Sequence, residues 1–460
     1  MRAMAVTICS TLLCALTGVV SSVPAAEAAD TFQLDGKRLA DPPLGTALQV
    51  LLPEFRLGSF THMAEILPSR RVSRGGPVIV LPRDERSLSD VTYRIFGKQH
   101  NVEEYLANAK VMAYLVLKDG KIVYETYRLG TDDNTAFVSW SVAKSFTSTL
   151  VGIAQADAAI KSIDDKAANY APALADSGYA DNSIRDLIDM SSGVKFVENY
   201  TALDTLEAKA WIEGTVTHSV ASYTDTFAWF KERIHPPGTA FYYASIEPAI
   251  AAWVVQRATS KHLADLLAER IWRKLGAEHD ASWLLDRPGG IEIGSCCINA
   301  TLRDYGRFGL MIMNEGRVGK AQLLPAAWIR EATRASATRA YLAPAAIHRA
   351  GRFGYHHNWW IWPEADHAAS ALGAFGQQIM IDFDDHVVIV QTSIWDDADN
   401  PRDVAEAAAV QEAIVASMRD RGPDGKPVPR GRKLQARAPA VRRAAPTGRP
   451  INYQNLRSIK

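Results

Sequence analysis

The chain has 460 residues with 51 basic and 51 acidic side chains, a formal net charge of +0, and an ordinary apolar balance. That is enough material for one large globular domain or two modest ones without disulfide support. The neutral total hides an asymmetry: residues 419–460 hold twelve basic residues and two acids, leaving 39 basic against 49 acidic elsewhere, a body too acidic for a nucleic-acid binder.

The chain opens with Arg2, an apolar run from Ala5 to Val20, and Ala26-Glu27-Ala28 before Asp30. This pattern predicts a secretory signal over residues 1–28 and an exported, periplasmic protein. The run is short and broken by Thr7, Ser10 and Thr11, whereas a membrane span needs roughly 18 or more apolar residues. Of the four cysteines, Cys9 and Cys14 lie in that signal. The neighbours Cys296 and Cys297 are read as two small buried residues, because adjacent cysteines do not easily reach the usual disulfide geometry.

Residues 29–90, rich in Pro, Gly and Arg, predict an irregular lead-in, with Pro77-Val78-Ile79-Val80-Leu81 as a strand. From Ala113 to Glu125, two apolar runs flank Asp119-Gly120 and predict a β-hairpin. A helix is expected to start near Ser141, with Phe146, Leu150 and Ile153 on one stripe. Further helices are expected over 183–190, 248–258 and 262–275. A second hairpin is expected over 378–383 and 387–394, and a last helix over 403–418. Strands near both chain ends with helices between them predict an α/β (α+β) fold over residues 91–418: an antiparallel sheet formed by the two chain ends, flanked by helices, with an inserted mostly helical region. Residues 419–460, studded with proline, predict a basic disordered tail.

Ser141-Val142-Ala143-Lys144 places a hydroxyl and an amine one helical turn apart. A desolvated, neutral lysine there can take the serine's proton, and a helix start favours the negative charge that develops. Ser192-Gly193-Val194-Lys195 has the same letters, but Gly193 after Ser191 argues for a loop. In Pro237-Gly238-Thr239-Ala240-Phe241-Tyr242-Tyr243-Ala244-Ser245, an extended run puts Tyr243 and Ser245 on one side. A tyrosine aimed at the Ser-Lys pair can relay a proton to a leaving group, although a tyrosine in an aromatic run also suits a core. Ala371-Leu372-Gly373-Ala374-Phe375-Gly376-Gln377 permits close backbone approach, so its N–H groups could join that of Ser141 in an oxyanion hole. His356 and His357 could line a substrate cleft or be surface or core aromatics.

Taken in this order, Ser141-x-x-Lys144, Tyr243-x-Ser245 and the stretch near Gly373 resemble the serine β-lactamase and penicillin-binding superfamily, over roughly residues 90 to 415. Within it the chain is similar to the 6-aminohexanoate-dimer hydrolase group, which is class C β-lactamase-like. That likeness rests on Ile66-Leu67-Pro68-Ser69, Val72-Ser73-Arg74, Ser139 to Ser145, Arg303 to Gly309, Gly373 to Gln377 and Ser393-Ile394-Trp395-Asp396. The resemblance implies a β-lactamase/transpeptidase-like fold and a serine hydrolase. Ser141 would be the acylated nucleophile, Lys144 its base and Tyr243 the proton shuttle. Ser245 would join that network, the amides of Ser141 and Ala374 beside Gly373 would hold the oxyanion, and Tyr200 would help bind the substrate amide. No cofactor or metal is implied.

One departure is plain. Where penicillin-recognising members carry Lys-Thr-Gly or His-Thr-Gly, this chain has Ala371-Leu372-Gly373, so the cation that faces a β-lactam carboxylate is missing. The expected substrate is a small-molecule amide or ester. A carboxylesterase or D-amino-acid peptidase of the same fold is the neighbouring alternative. A non-catalytic cell-envelope protein, with its basic tail on anionic envelope polymers, is the alternative from another class.

Overall fold

The computed structural model describes residues 42–198, 205–343, 353–363 and 367–419. The expected signal, the basic tail beyond Arg419 and Tyr200 lie outside the described residues. Numbered in chain order, the strands that frame the site are β1 (Ser69–Val72), β2 (Val111–Lys118), β3 (Lys121–Tyr127), β4 (Ala136–Val138), β5 (Ala281–Leu284), β6 (Ile298–Thr301), β7 (Gly354–His356), β8 (Trp359–Ile361), β9 (Ala368–Gly373), β10 (Gln377–Asp382) and β11 (Val387–Ser393). The helices used below are α1 (Ala143–Ala156), α2 (Ile246–Thr259), α3 (Leu302–Met313) and α4 (Pro401–Met418).

The main sheet runs β7-β8-β9-β10-β11-β2-β3 and every neighbouring pair is antiparallel. Its centre is the pairing of β11 with β2, from Val387 opposite Lys118 to Ser393 opposite Val111. The two chain ends therefore do build one sheet, as the hairpin patterns required. All eight residues of β2 are buried because both faces are covered. Ala113, Leu115 and Leu117 join the core that holds α1 and α3, while Tyr114 and Val116 join the cluster under α4. A continuous apolar run, rather than alternation, follows from that double cover. Gly306 and Gly309 let α3 press on the sheet: a methyl group there would lie 2.7 Å from Leu115 Cδ2 and 2.6 Å from Val388 Cγ1.

α1 is the central helix. Phe146, Leu150 and Ile153 are fully buried on the predicted stripe, and Phe146 stacks on Phe308 with ring centroids 3.7 Å apart. Phe146→Ala is expected to cost about 3–5 kcal/mol of stability by leaving a cavity between α1 and α3. A lowered urea midpoint at unchanged slope would show it.

Three expectations are corrected. Val78, Ile79 and Val80 form no strand and are 40%, 46% and 75% exposed. Ile79 is held by backbone bonds, its N–H donating to the Gly276 carbonyl at 3.0 Å and its carbonyl accepting from Arg307, and Leu81 is buried in the core, but no described strand pairs with the segment. The lead-in is not irregular throughout, since Pro53–Thr61 is helical and buries Leu57 and Phe60. Cys296 and Cys297 are buried, as expected, but are joined to each other as a vicinal disulfide. Cys297 takes a left-handed backbone (φ 78), which lets consecutive residues turn their sulfurs together.

The predicted helix over 262–275 is shorter, running Leu263–Leu267 and continuing as one wide turn to Trp272. None of the described helices is long and apolar enough to cross a membrane.

Candidate active site

Ser139 fixes the entry to the site. Its N–H donates to the Ile298 carbonyl at 2.7 Å, and its Oγ accepts from the Ile298 N–H at 2.9 Å, which ties the chain to the start of β6. Trp140 then turns left-handed (φ 44) and packs its ring against Phe60 and Phe375 at 5.2 and 6.0 Å. That turn delivers Ser141 into a short 3-10 turn (Trp140–Val142) ahead of α1, so the hydroxyl sits just before the helix rather than within it.

Lys144 lies one turn on, with Nζ 2.5 Å from Ser141 Oγ and 2.9 Å from the Ser295 carbonyl oxygen. The amine is buried, and burial pulls its pKa down from the ordinary lysine value to about 8, with Glu198 pulling the other way. The lysine can therefore be neutral in a mildly alkaline solution. Tyr243 completes the group, its ring centroid 5.1 Å from Lys144 Nζ. Tyr243 is stacked on Trp360 at 5.6 Å, and Trp360 meets Tyr355 edge-on at 4.9 Å from across the β7–β8 ladder. The sequence-derived trio of Ser141, Lys144 and Tyr243 is thus brought together from two separate parts of the chain.

Gly373 ends β9 directly against the nucleophile segment, where a Cβ would lie 2.5 Å from the Ser139 carbonyl oxygen and 3.2 Å from Ser141 N. The chain then kinks through Ala374, Phe375 (φ 59) and Gly376 (φ 89) before β10. Ala374 therefore follows immediately on the residue that lies against the Ser141 backbone. Ser245 lies slightly off the trio. Its Oγ donates to Glu198 Oε1 at 2.6 Å and its N–H to Glu198 Oε2 at 2.9 Å, at the start of α2.

The look-alike Ser192-Gly193-Val194-Lys195 is taken apart by the fold. Ser192 Oγ donates to buried Glu247 at 2.7 Å, while Lys195 is exposed and pairs with Glu232.

His356 and His357 are buried behind the wall rather than lining the cleft. His357 Nδ1 lies 2.8 Å from Asp189 Oδ1. Burial alone would lower the His357 pKa, but Asp189 and Glu331 outweigh it and raise it. Together with Asp189 these histidines are the described group with metal-ligand spacing. Part of it is already engaged: Asp189 Oδ1 also accepts from the His357 N–H, His356 Nδ1 is bonded to the Arg334 carbonyl, and the Arg339 guanidinium lies 3.3 Å from Asp189 Oδ2. A guanidinium beside the carboxylate opposes a metal cation there, and the bond from the His357 N–H to Asp189 fixes the turn that leads into Asn358. The Asn358 carbonyl accepts from Ser145 Oγ at 2.7 Å, one residue beyond Lys144.

Two site groups escaped the sequence reading. The Ser295 carbonyl, 151 residues from Lys144, carries no signal in any side chain. Glu198 stands two residues before Tyr200, in a loop where no local pattern marks a carboxylate as part of the site.

A family model for Beta-lactamase matches residues 99–413. The chain belongs to the Beta-lactamase family. A 6-aminohexanoate-dimer hydrolase of Paenarthrobacter ureafaciens is 27% identical over 348 residues, covering 74% of this chain and 86% of that protein. A Bacillus anthracis structure described as a 6-aminohexanoate-dimer hydrolase superposes with a TM-score of 0.71 at 24% identity, over 80% of this chain and 96% of that one. EstCE1, described as a hydrolase with promiscuous acyltransferase activity, gives a TM-score of 0.55 at 12% identity, over 68% and 96%. Family membership and fold together make the chain a serine hydrolase of the β-lactamase/transpeptidase type, as the resemblance implied.

Proposed function

We propose that this Beta-lactamase-family hydrolase cleaves a small linear amide or ester through an acyl-enzyme on Ser141, as its similarity to a 6-aminohexanoate-dimer hydrolase suggests. The reading is carried by the 2.5 Å contact between Ser141 Oγ and a buried Lys144 Nζ. Neutral Lys144 takes the hydroxyl proton while Oγ forms a bond to the substrate carbonyl carbon. The N–H groups of Ser141 and Ala374 hold the resulting oxyanion. On collapse the C–N or C–O bond breaks, and the proton on Lys144 passes through the Tyr243 phenol to the leaving amine or alcohol. Water then attacks the ester, with the same pair taking its proton, and Ser141 is released. Ala371 and Leu372 stand where a cation would meet a β-lactam carboxylate, which favours uncharged acyl groups packed on Tyr243 and Trp360.

Export to the periplasm, substrate contact by Tyr200 and docking of residues 419–460 on anionic envelope polymers belong to the same proposal. They rest on the sequence patterns described above.

A fluorophosphonate probe tests the chemistry without knowledge of the substrate. Labelling should map to Ser141 and vanish in Ser141→Ala. Because only the neutral amine is a base, the labelling rate should rise with pH through about 8 and fall below it as Lys144 becomes an ammonium. Labelling that survives Ser141→Ala would sink the assignment.

A further inference from the structure

Glu198 stands out as a carboxylate next to the trio that neither the acylation step nor the oxyanion hole uses. It is half-buried, and both of its oxygens are taken by Ser245, one by the hydroxyl and one by the backbone N–H. Ser245 precedes the fourteen-residue helix α2, so the carboxylate also sits at the positive end of that helix. Two residues earlier lies Tyr243, whose ring faces Lys144. A carboxylate in this position pins the short segment carrying Tyr243 and brings a negative charge to the side of the site where that ring meets Lys144.

Resting on the acyl-enzyme reading, we propose that Glu198 is a positioning residue of the Ser141–Lys144–Tyr243 site: it clamps the Tyr243–Ser245 segment, and its charge stabilises the ammonium that Lys144 becomes when Ser141 attacks.

The surroundings of Lys144 support that assignment. Its Nζ meets the Ser141 hydroxyl and the Ser295 carbonyl, with the Tyr243 ring beyond, and none of these carries a charge when Lys144 is protonated. Other carboxylates lie nearby but are engaged elsewhere. Asp189 faces His357 and Arg339, and Glu247 faces Ser192. Glu198, by contrast, is bonded to the segment whose Tyr243 ring lies 5.1 Å from Lys144 Nζ, and its charge opposes the effect of burial on that amine. Burial opposes a charged lysine and Glu198 favours it, so the balance of the two sets the pH at which the base is ready.

The sign of the effect is opposite to that of an ordinary loss of function. Removing the charge in Glu198→Gln destabilises the ammonium, so Lys144 stays neutral to lower pH. The acidic limb of the Ser141 labelling rate should then move down by roughly one pH unit. The plateau rate should fall by roughly tenfold, because the ammonium formed during attack has lost its counter-charge. Ser245→Ala keeps the charge and removes the hydroxyl clamp, so it should lower the plateau and leave the limb where it was. Glu198→Asp should restore the limb towards the wild-type position.

The experiment measures the rate of fluorophosphonate labelling from pH 5 to 10 on the full chain and on all three variants, with a thermal melt to confirm that each is folded. A limb that shifts down in Glu198→Gln alone supports the assignment. A labelled wild type whose limb coincides with that of Glu198→Gln overturns this inference only, as does a Ser245→Ala limb shifted equally. Absence of labelling in the wild type overturns the acyl-enzyme reading, and this inference with it.

Discussion

Lys144→Ala is expected to lower kcat/KM on a chromogenic short-chain ester by roughly 10³-fold, within the range that general acid–base groups contribute. The substitution removes the atom 2.5 Å from Ser141 Oγ, and the described structure offers the hydroxyl no second amine. A serine left without a base has almost no alkoxide, so the remaining rate comes from the oxyanion donors and substrate binding alone. The acidic limb near pH 8 should also disappear, because the group that titrates there is gone. Lys144→Arg should not rescue the rate, since a guanidinium keeps its proton at any working pH and cannot act as the base. The double variant with Ser141→Ala should be no worse than Ser141→Ala by itself, because the two residues act as one unit. A Lys144→Ala enzyme within tenfold of the wild type would remove the lysine from the mechanism.

The sequence made Ser141, Lys144 and Tyr243 legible because each sits in a local pattern that survives folding. A helical stripe follows Ser141, a Pro-Gly turn precedes Tyr243, and small residues mark Gly373. The main sheet was legible for a similar reason. Each hairpin carries its own turn, and pairing β11 with β2 is the way two buried strands from opposite chain ends satisfy their backbone groups.

What stayed hidden depends on tertiary neighbours. Average disulfide spacing argues against a bond between Cys296 and Cys297, but the left-handed backbone at Cys297 changes what adjacent residues can reach, and its N–H is held by the Trp140 carbonyl. The helix at Pro53–Thr61 shows too few turns to register as periodic, yet its Phe60 packs on both Trp140 and Phe375 and so supports the nucleophile from behind. Ser295 contributes through its carbonyl, which every residue has, and could not be singled out by type.

Gly373→Ala carries the second large effect, and its cause is space rather than backbone conformation. At φ −127 and ψ 158 the residue lies in ordinary extended geometry that alanine adopts freely. The added methyl would nevertheless stand 2.5 Å from the Ser139 carbonyl oxygen and 3.1 Å from the Gln377 side chain. Ser139 cannot retreat easily, because it is bonded to Ile298 on β6 and its carbonyl accepts from the Val142 N–H at 3.1 Å. The end of β9 must move instead, carrying Ala374 away from Ser141 and widening the gap that holds the oxyanion. Losing one such donor is worth roughly 10²–10³ in kcat. The aromatic wall of Tyr243 and Trp360 is left in place, so KM should change far less than kcat. Steady-state kinetics on the ester, with a thermal melt to exclude unfolding, separate the two. A kcat within threefold of the wild type would mean that the amide of Ala374 does not hold the oxyanion, and that the second donor must come from elsewhere around Ser141.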